Sequence, residues 1–440
     1  MYYFPPVIQS MTMSRLVRCV PIIFFIIYLN FTVLLFAAGP WPWPVKDPFS
    51  LYAFLLLAHL ALLFGFLSAS WRRPRGYCGR WLPTWLMKVS TIVVLVMILP
   101  TIYYRTGGNI DFTSGLFTPG DLYNASHEYV SSNYVNPTVG YIRILLAPVM
   151  WLQLPLTIVY WDKLKVGMKV LGIAAITGNA ITWLAIGTNK GLADIALLVP
   201  WMFFIKYLYE GKPLNKEMLF KAMLIVVVLL VIMVTYFTFN MRDRAGSTSV
   251  PRRDSSANIS VNDDNILIRN VPPSMQDAII AITSYVTQGY WGLYLCLKEE
   301  FLPTYGVGNS MFLIPYAEKF VGKDIVKNRT YPVRTASDGW EAYMKWHSIY
   351  PWLASDFTFP GTIMVVFIIG RLFALCWLDV LGQQNPFAIG MFANFVIMLF
   401  YFTANNQCFQ SGEAFVTTWV LFFLWITTRK IPSFNVVRQS

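Results

Sequence analysis

Long apolar runs constrain the fold of this chain more than any other feature. Because the hydrocarbon core of a bilayer is about 30 Å thick, a helix needs roughly 20 mostly apolar residues to cross it. About ten segments approach or exceed that length: Val20 to Ala38, Leu51 to Ser70, Trp85 to Tyr104, Tyr141 to Trp161, Val170 to Gly187, Leu192 to Leu208, Ala222 to Asn240, Phe357 to Leu378, Phe387 to Ala404 and Ala414 to Thr427. The sequence therefore predicts an all-α polytopic membrane protein with about ten transmembrane helices.

The distribution of basic residues predicts the orientation of these helices. The net charge of +12 does not indicate a nucleic-acid partner, because the cations lie in short loops between apolar segments and not on one soluble face. Alternate loops are rich in lysine and arginine, including Arg72, Arg73 and Arg75, then Lys163, Lys165 and Lys169, then Arg429 and Lys430. The positive-inside rule places these loops in the cytoplasm, with both termini.

The lengths of the loops divide the chain into three parts. Residues 1–240 form a first bundle of about seven helices with an external loop at 105–140, residues 241–356 form one large external loop, and residues 357–440 form the C-terminal helices. Within the large loop, Ala278 to Leu297 is almost apolar enough to span. If it crossed, every later loop would change sides and break the charge pattern. We expect it to lie on the membrane surface, to dip in and return, or to pack against other helices.

The sequence predicts no metal and no cofactor. The five cysteines have no paired spacing of the kind that marks a zinc site or a disulfide framework. No closely paired acidic residues stand at the external end of a predicted helix, where a divalent cation would need oxygen ligands.

Three cations are predicted to meet at the external face. Lys190 lies in the short turn GTNKG, between two apolar segments, and Arg242 and Arg244 follow the next apolar segment. Such a cluster on rigid helix ends suits the diphosphate of a lipid carrier. The alternative for Lys190 is a local ion pair with Asp194, four residues later. Arg143, near the outer end of an earlier helix, is a fourth cation predicted at this face, and its alternative is snorkelling toward the headgroups.

The last part of the large loop is dense in ionisable and aromatic residues. It contains Arg334, Asp338, Glu341 and His347, with the aromatic residues Tyr343, Trp346 and Tyr350 between and after them. Aromatic faces stack on sugar rings, while carboxylates and arginine hydrogen-bond hydroxyls, so the mixture is typical of a glycan-binding surface. The alternative is that these aromatic residues anchor the loop at the membrane interface. A histidine of near-neutral pKa can act as a base, although many loop histidines are only solvated.

Locally, three features are similar to motifs of a known family. GTNKG resembles a Gly-x-Arg-Gly turn, with Lys190 where the family has arginine; Arg242 leaves the next helix; and ASDFTFPGT resembles an Asp-Phe-Gly-x-x-Gly helix entry, with Pro360 and Gly361 shifting its glycine pattern. With the helix count and the single large external loop, the chain resembles the Wzy-type O-antigen or oligosaccharide repeat-unit polymerases. These are relatives of the O-antigen ligases and belong to the GT-C-like glycosyltransferases.

The resemblance implies polymerisation of undecaprenyl-diphosphate-linked oligosaccharide repeat units outside the bacterial cytoplasmic (inner) membrane, in polysaccharide and lipopolysaccharide biosynthesis. It implies no metal, lipid-linked glycan and membrane lipid as partners, and a regulator protein of chain length. The expected diphosphate-binding residues are Lys190, Arg242, Arg244 and Arg334. Arg242 also counts as catalytic, His347 is the expected base, and Asp338 and Glu341 are its substitutes. Tyr343, Trp346 and Tyr350 are the expected glycan-binding residues.

Three other functions remain open at this stage. The least favoured is a non-catalytic scaffold, for which the dense ionisable stretch of the large loop would have no chemical purpose. A ligase that moves finished glycan onto a lipid core makes the same demands on its active site. A flippase or other transporter of lipid-linked oligosaccharide would need charges along a path through the membrane, and Arg371 is the main exception to their external clustering. We expect Arg371 to reach the cytoplasmic side or to pair with Asp379.

Overall fold

The computed structural model describes residues 15–79, 81–108, 117–131, 137–211, 216–383 and 385–430. The first helices and the strand among them are α1 (Arg15–Ala38), α2 (Pro48–Ser70), β1 (Gly76–Tyr77), α3 (Pro83–Thr106), α4 (Pro119–Ser131), α5 (Thr138–Trp151), α6 (Gln153–Val159), α7 (Val166–Leu184), α8 (Lys190–Tyr209) and α9 (Lys216–Arg244). Helix α4 lies in the predicted external loop at 105–140, of which 109–116 and 132–136 are outside the described residues.

The second half contains the remaining elements. They are β2 (Arg253–Asp254), β3 (Ile259–Ser260), α10 (Ile266–Arg269), α11 (Pro273–Cys296), α12 (Ile314–Val321), α13 (Tyr331–Arg334), α14 (Ile349–Gln383), α15 (Pro386–Phe400), α16 (Gly412–Thr427) and β4 (Arg429–Lys430). Strands β1 and β4 pair antiparallel, as do β2 and β3. The last predicted domain ends in residues 431–440, which lie outside the described range.

The prediction of a mostly helical membrane protein is confirmed. Among the described residues, eight helices are long and apolar enough to cross a membrane, one of them formed by α5 and α6 together as Thr138–Val159. The two other predicted segments also fall on helices. Ala222 to Asn240 lies within α9, and Ala414 to Thr427 lies within α16, which has 16 residues.

Polar or glycine residues at the ends of several apolar runs cap the helices and fix where they begin or end. Helix α2 begins where Asp47 accepts a hydrogen bond from the Phe49 N–H, with Pro48 in the first turn. Asn385 and Ser411 cap α15 and α16 in the same way. Helix α3 ends at Gly107, whose φ of 67° favours glycine.

Small residues let the spanning helices approach closely. A Cβ added to Gly65 of α2 would lie 2.0 Å from the Phe367 carbonyl oxygen, and one added to Gly370 of α14 would lie 2.2 Å from the Leu62 carbonyl oxygen. Small residues at helix interfaces allow this packing in a membrane. Helix α15 lies at the centre, since its residues from Pro386 to Leu399 are all buried.

Helix α11 packs against the outer end of α1, which is one of the three arrangements expected for Ala278 to Leu297. The Trp41 indole donates a hydrogen bond to the Ile280 carbonyl oxygen at 3.1 Å, and the Trp43 indole donates to Thr287 Oγ1 at 3.1 Å. One helical turn further on, the Tyr290 hydroxyl lies 2.8 Å from Thr32 Oγ1 of α1. The large loop is thereby fixed to the first bundle.

The expected pair between Arg371 and Asp379 is wrong. Arg371 Nη1 donates a hydrogen bond to Ser68 Oγ at 3.0 Å. Asp379 is buried and forms its ion pair with Arg429 Nε at 2.5 Å, and it also accepts a hydrogen bond from the Trp425 indole. The carboxylate therefore ties the end of α16 to α14.

Candidate functional site

The segment at residues 241–356 is called the external segment after its predicted location. Together with the adjoining helix ends it encloses a cavity of about 530 Å³, which we call the main cavity. Residues from α4, α9, α11 and the segments around β2, Lys345 and Asn405 line it. Its polar and charged lining comprises Tyr123, Arg244, Arg253, Asp254, Ser255, Ser284, Tyr285, Gln288, Tyr343, Lys345, His347, Asn405 and Gln410. Its size is in the range of small-molecule and cofactor sites.

Arg244, the last residue of α9, supplies the best-positioned cation in the main cavity. Its Nη2 donates a hydrogen bond to the Gly187 carbonyl oxygen at 2.7 Å, and its guanidinium carbon lies 3.8 Å from the centre of the Tyr123 ring. Its Nε is buried and has no hydrogen-bond partner within the described part of the chain. The side chain is thus held on two sides, and its buried Nε is an unsatisfied donor of the kind that a bound group would complete.

The predicted GTNKG turn is the support for this arginine. Gly187 has a φ of 60°, and a Cβ there would lie 1.9 Å from the Pro119 carbonyl oxygen, so this position requires glycine. Asn240 of α9 donates hydrogen bonds to the Gly187 carbonyl oxygen at 3.0 Å and to Asn189 Oδ1 at 2.9 Å. The turn, α4 and the end of α9 are therefore joined, as the sequence had suggested for the turn and Arg244.

The charge balance of the main cavity is positive. Arg253 and Lys345 line it together with Arg244, against the carboxylate of Asp254. Lys345 Nζ lies 2.8 Å from Asp254 Oδ2 and 4.9 Å from the centre of the Trp340 ring. Among the described residues, the cavity lining thus carries an excess of positive charge that attracts anionic ligands.

Asn405 was not predicted from the sequence. Its side chain is 3% exposed, its Nδ2 donates to Gln410 Oε1 at 2.9 Å, and its Oδ1 has no partner among the described residues. An unpaired buried amide oxygen is costly, and Asn405 lines the main cavity. This indicates that its Oδ1 accepts a hydrogen bond from a donor group of a ligand. The polar run NNQ directly after an apolar helix was the available signal.

Lys190 lines a second, smaller cavity of about 170 Å³. Its Nζ forms an ion pair with Asp194 Oδ2 at 2.6 Å, so the local pair considered for this lysine is present. The ammonium nitrogen also lies 5.5 Å from the centre of the Trp183 ring and 6.0 Å from that of Tyr401. Lys190 therefore brings a positive charge to the second cavity, and the carboxylate of Asp194 offsets part of that charge.

Snorkelling, the alternative considered for Arg143, is wrong. Arg143 is 4% exposed, and its Nε and Nη2 donate to Glu413 Oε1 and Oε2 at 2.8 and 2.7 Å. Its Nη1 lies 2.5 Å from Thr101 Oγ1. This two-point ion pair joins α5 to the first turn of α16 and forms part of the wall of the second cavity.

Arg242 and Arg334 line neither cavity and are held in ion pairs. Arg242 Nε lies 2.8 Å from Asp277 Oδ2, and the same oxygen accepts a hydrogen bond from the Val250 N–H at 3.0 Å. Arg334 Nη1 lies 3.2 Å from Glu299 Oε2. Their positions indicate that they fix the external segment, which differs from the predicted contact with a diphosphate.

The remaining predicted residues of the large loop separate into two groups. Asp338 and Glu341 are exposed and line neither cavity. Tyr350 is 1% exposed, and its ring packs against Phe54 and Phe402. Two predicted glycan-binding residues do line the main cavity, Tyr343 and Trp346.

His347 lines the main cavity with both ring nitrogens engaged. Its Nδ1 lies 3.0 Å from the Lys345 carbonyl oxygen and its Nε2 lies 2.8 Å from Thr335 Oγ1. Its backbone N–H donates to the Ala404 carbonyl oxygen at 3.1 Å. Burial lowers the pKa of His347 from 6.5 to about 4, so the ring is neutral at pH 7. This geometry favours a positioning role over the predicted role as base.

The lowered pKa of His347 makes a prediction about stability. Below pH 6.5 the unfolded chain binds a proton at this residue, whereas the folded chain resists protonation until about pH 4. Stability is therefore retained above pH 6.5 and lost as the pH falls toward 4, by about 2 kcal/mol at pH 5. Thermal unfolding in detergent at pH 7.5 and pH 5 measures this loss, and His347→Gln is expected to reduce it. An equal loss in the variant would contradict the assignment.

The arrangement offers a ligand positive charge, polar side chains and aromatic walls within one cavity. Within the described residues, no group of three or more histidine, cysteine, aspartate or glutamate side chains lies close enough to hold a metal ion. The cations, the unpaired amide oxygen and the aromatic walls are the chemical groups that line the site.

No family model, curated protein or solved structure matches this chain.

Proposed function

We propose that this protein joins lipid-diphosphate-linked oligosaccharide repeat units by glycosyl transfer at the external face of a bacterial cytoplasmic membrane. The observation that carries the proposal is the main cavity, which Arg244 lines at the end of α9, the 29-residue helix that contains the apolar segment Ala222 to Asn240. Such a position suits a ligand whose diphosphate lies at the surface while its lipid remains in the bilayer. The excess of positive charge supports the same class of ligand.

The reaction transfers the growing glycan from its lipid carrier to a new repeat unit. A hydroxyl oxygen of the acceptor forms a bond to the anomeric carbon, the bond from that carbon to the diphosphate oxygen breaks, and the diphosphate leaves with the electron pair. Arg244 and Arg253 would offset the charge that develops on this leaving group. Each charge-assisted hydrogen bond contributes about 1.5 to 3 kcal/mol.

The acceptor hydroxyl must lose its proton to a base. Asp254 lines the main cavity, whereas the predicted carboxylates Asp338 and Glu341 do not. Its side chain is mostly buried, its Oδ2 accepts a hydrogen bond from Lys345 Nζ at 2.8 Å, and its Oδ1 accepts from the backbone N–H groups of Ser256 and Ala257 at 2.9 and 3.3 Å. Unlike a ring nitrogen of His347, a carboxylate oxygen that already accepts one hydrogen bond has a lone pair left for a further donor. We assign the base to Asp254, with the Asn405 amide oxygen as an acceptor that orients the hydroxyl.

The aromatic walls suit the sugars of such a substrate. Tyr343 is half exposed at the cavity and Trp346 is partly exposed, so both rings present area to a ligand. Aromatic faces stack on sugar rings, and the polar side chains that line the same cavity can hydrogen-bond the sugar hydroxyls. This supports the predicted glycan contact for these two residues.

Lys190→Ala is expected to lower polymer yield by about tenfold, a smaller effect than the loss of an unpaired cation, because Asp194 already offsets part of the charge. Polymer from vesicles that contain equal amounts of each variant measures the effect. Lys298→Ala is the control, since this exposed lysine lies over the Tyr294 ring and lines neither cavity. A normal yield from Lys190→Ala would show that Lys190, and the charge it brings to the second cavity, takes no part in the reaction.

The proposal is tested by incubating the purified protein in vesicles with a single lipid-linked oligosaccharide. A polymerase produces a ladder of products that differ by one repeat unit, together with free lipid diphosphate. A ligase leaves the oligosaccharide unextended and transfers it only when a lipid-core acceptor is added. A transporter moves the intact lipid across the bilayer without either product. The absence of a ladder from active, folded protein would contradict the proposal.

A further inference from the structure

Helix α12, Ile314–Val321, carries a second apolar surface that no described part of the protein covers. One side of the helix packs in a small core of the external segment, where Ile314 meets Val326 and Trp352. On the outer side, Phe320 is 91% exposed, and Tyr316 and Val321 are exposed as well. A lone exposed aromatic ring needs no explanation, but a turn of helix that presents several such residues does.

A chain of aromatic rings connects α12 to the exposed apolar surface of α16. Phe423 and Trp419 are exposed on α16 and stack at 5.9 Å, and Trp419 lies 6.4 Å from Phe415 in the first turn of that helix. Phe415 lies 5.7 Å from Phe312, and Phe312 lies 5.1 Å from Tyr316 of α12. The exposed face of α12 is therefore continuous with the exposed aromatic surface of the apolar helix α16.

Position and charge agree with an interfacial location. Tyr316 also meets Tyr141, which is half exposed at the outer end of α5. Phe320 follows Tyr316 by four residues, so both rings lie on one side of the helix. Lys319 and Lys323 are exposed beside them, and the Lys319 ammonium lies 5.1 Å from the centre of the Tyr316 ring. Lysines that flank an apolar face complement the phosphates of anionic lipids.

We propose that α12 is an in-plane membrane anchor, which inserts Phe320 into the leaflet on the side of the large external segment. Its lysines contact anionic headgroups, and Tyr316 lies at the level of the interface. This surface does not depend on the reaction that the main cavity performs. It fixes the external segment to the bilayer at one edge, as α11 fixes it to α1 at another.

The test uses the full-length protein with an environment-sensitive nitrobenzoxadiazole label at Phe320→Cys. Cys19 and Cys78 are replaced by serine, because they are the native cysteines that are not buried. Ser337→Cys serves as the matched control, since Ser337 is exposed on the same external segment in a short 3-10 helix. Vesicles of phosphatidylethanolamine and phosphatidylglycerol, with and without spin-labelled acyl chains, provide the membrane.

A label at position 320 is expected to emit at shorter wavelength than one at 337 and to be quenched by the spin-labelled chains. Equal emission and quenching at the two positions would overturn the anchor. A shift to shorter wavelength without quenching by lipid would also overturn it, because the ring would then lie against protein. The Phe320→Asp variant is expected to fold and to keep the contacts around the main cavity, because the Phe320 side chain is exposed.

Discussion

Arg244→Ala is expected to reduce polymer formation by about 10- to 150-fold, as follows from the loss of one charge-assisted hydrogen bond of about 1.5 to 3 kcal/mol. The side chain is the cation of the main cavity that is both held in place and incompletely hydrogen-bonded. Gly187 and Tyr123 fix its plane, while its Nε is without a partner among the described residues. A preorganised cation loses little reorganisation energy when charge develops beside it.

Two further variants separate charge from geometry. Arg244→Lys keeps the charge but loses the planar fork, so we expect a yield between those of the alanine variant and the unchanged protein. Arg252→Ala is the matched control, because Arg252 pairs with Asp263 on the surface and lines neither cavity. If the Arg244 and Arg252 variants made equal amounts of polymer, Arg244 would have no part in the reaction.

Glu413→Ala is expected to lower the free energy of unfolding by about 3 to 5 kcal/mol, because it leaves a buried guanidinium without its partner. Arg143 is 4% exposed, and its guanidinium donates a hydrogen bond to each carboxylate oxygen of Glu413. The midpoint of thermal unfolding in detergent, measured at one protein concentration, reports the change. The cost arises from the orphaned charge and not from the pair itself.

The double replacement of Arg143 by methionine and Glu413 by leucine should therefore recover most of the loss, since it removes both charges together. Asp263→Ala supplies the control for an exposed pair, where about 0 to 1 kcal/mol is expected. Equal midpoints for Glu413→Ala and Asp263→Ala would show that the buried pair contributes no more than a surface one.

The membrane helices could be predicted because the thickness of the bilayer sets their length. All ten apolar segments fall on helices, and the caps at Asp47, Asn385 and Ser411 lie where polar residues meet apolar runs. The sequence alone allows three arrangements for α11, because the hydrogen bonds that fix it involve Trp41, Trp43 and Thr32, which are far away in sequence.

The site could be predicted only in part, for a geometric reason. Arg242 and Arg244 are two residues apart on one helix, and 3.6 residues per turn sends them to nearly opposite sides. Only one of them can face the cavity, and the spacing alone does not decide which. The structure places Arg244 there and pairs Arg242 with Asp277.

Burial decided the other differences. His347 and Asn405 both lie almost fully buried beside the main cavity, His347 with both ring nitrogens engaged and Asn405 with a free oxygen. Nothing local distinguishes these environments, because each depends on segments that fold over the helix ends from elsewhere in the chain. Asp338 and Glu341 had the right chemistry for a base but lie on the exposed side of the loop.

Photo-crosslinking inside the main cavity tests the central claim most directly. A benzoylphenylalanine at Gln288, which lines this cavity, should capture a lipid-diphosphate-linked oligosaccharide upon illumination, and the same probe at exposed Ser260 should not. The adduct at position 288 should fall sharply when Arg244 is replaced by alanine. Capture of the glycan lipid at position 260 alone would contradict the account. So would an adduct at position 288 whose amount is unchanged when Arg244 is replaced by alanine.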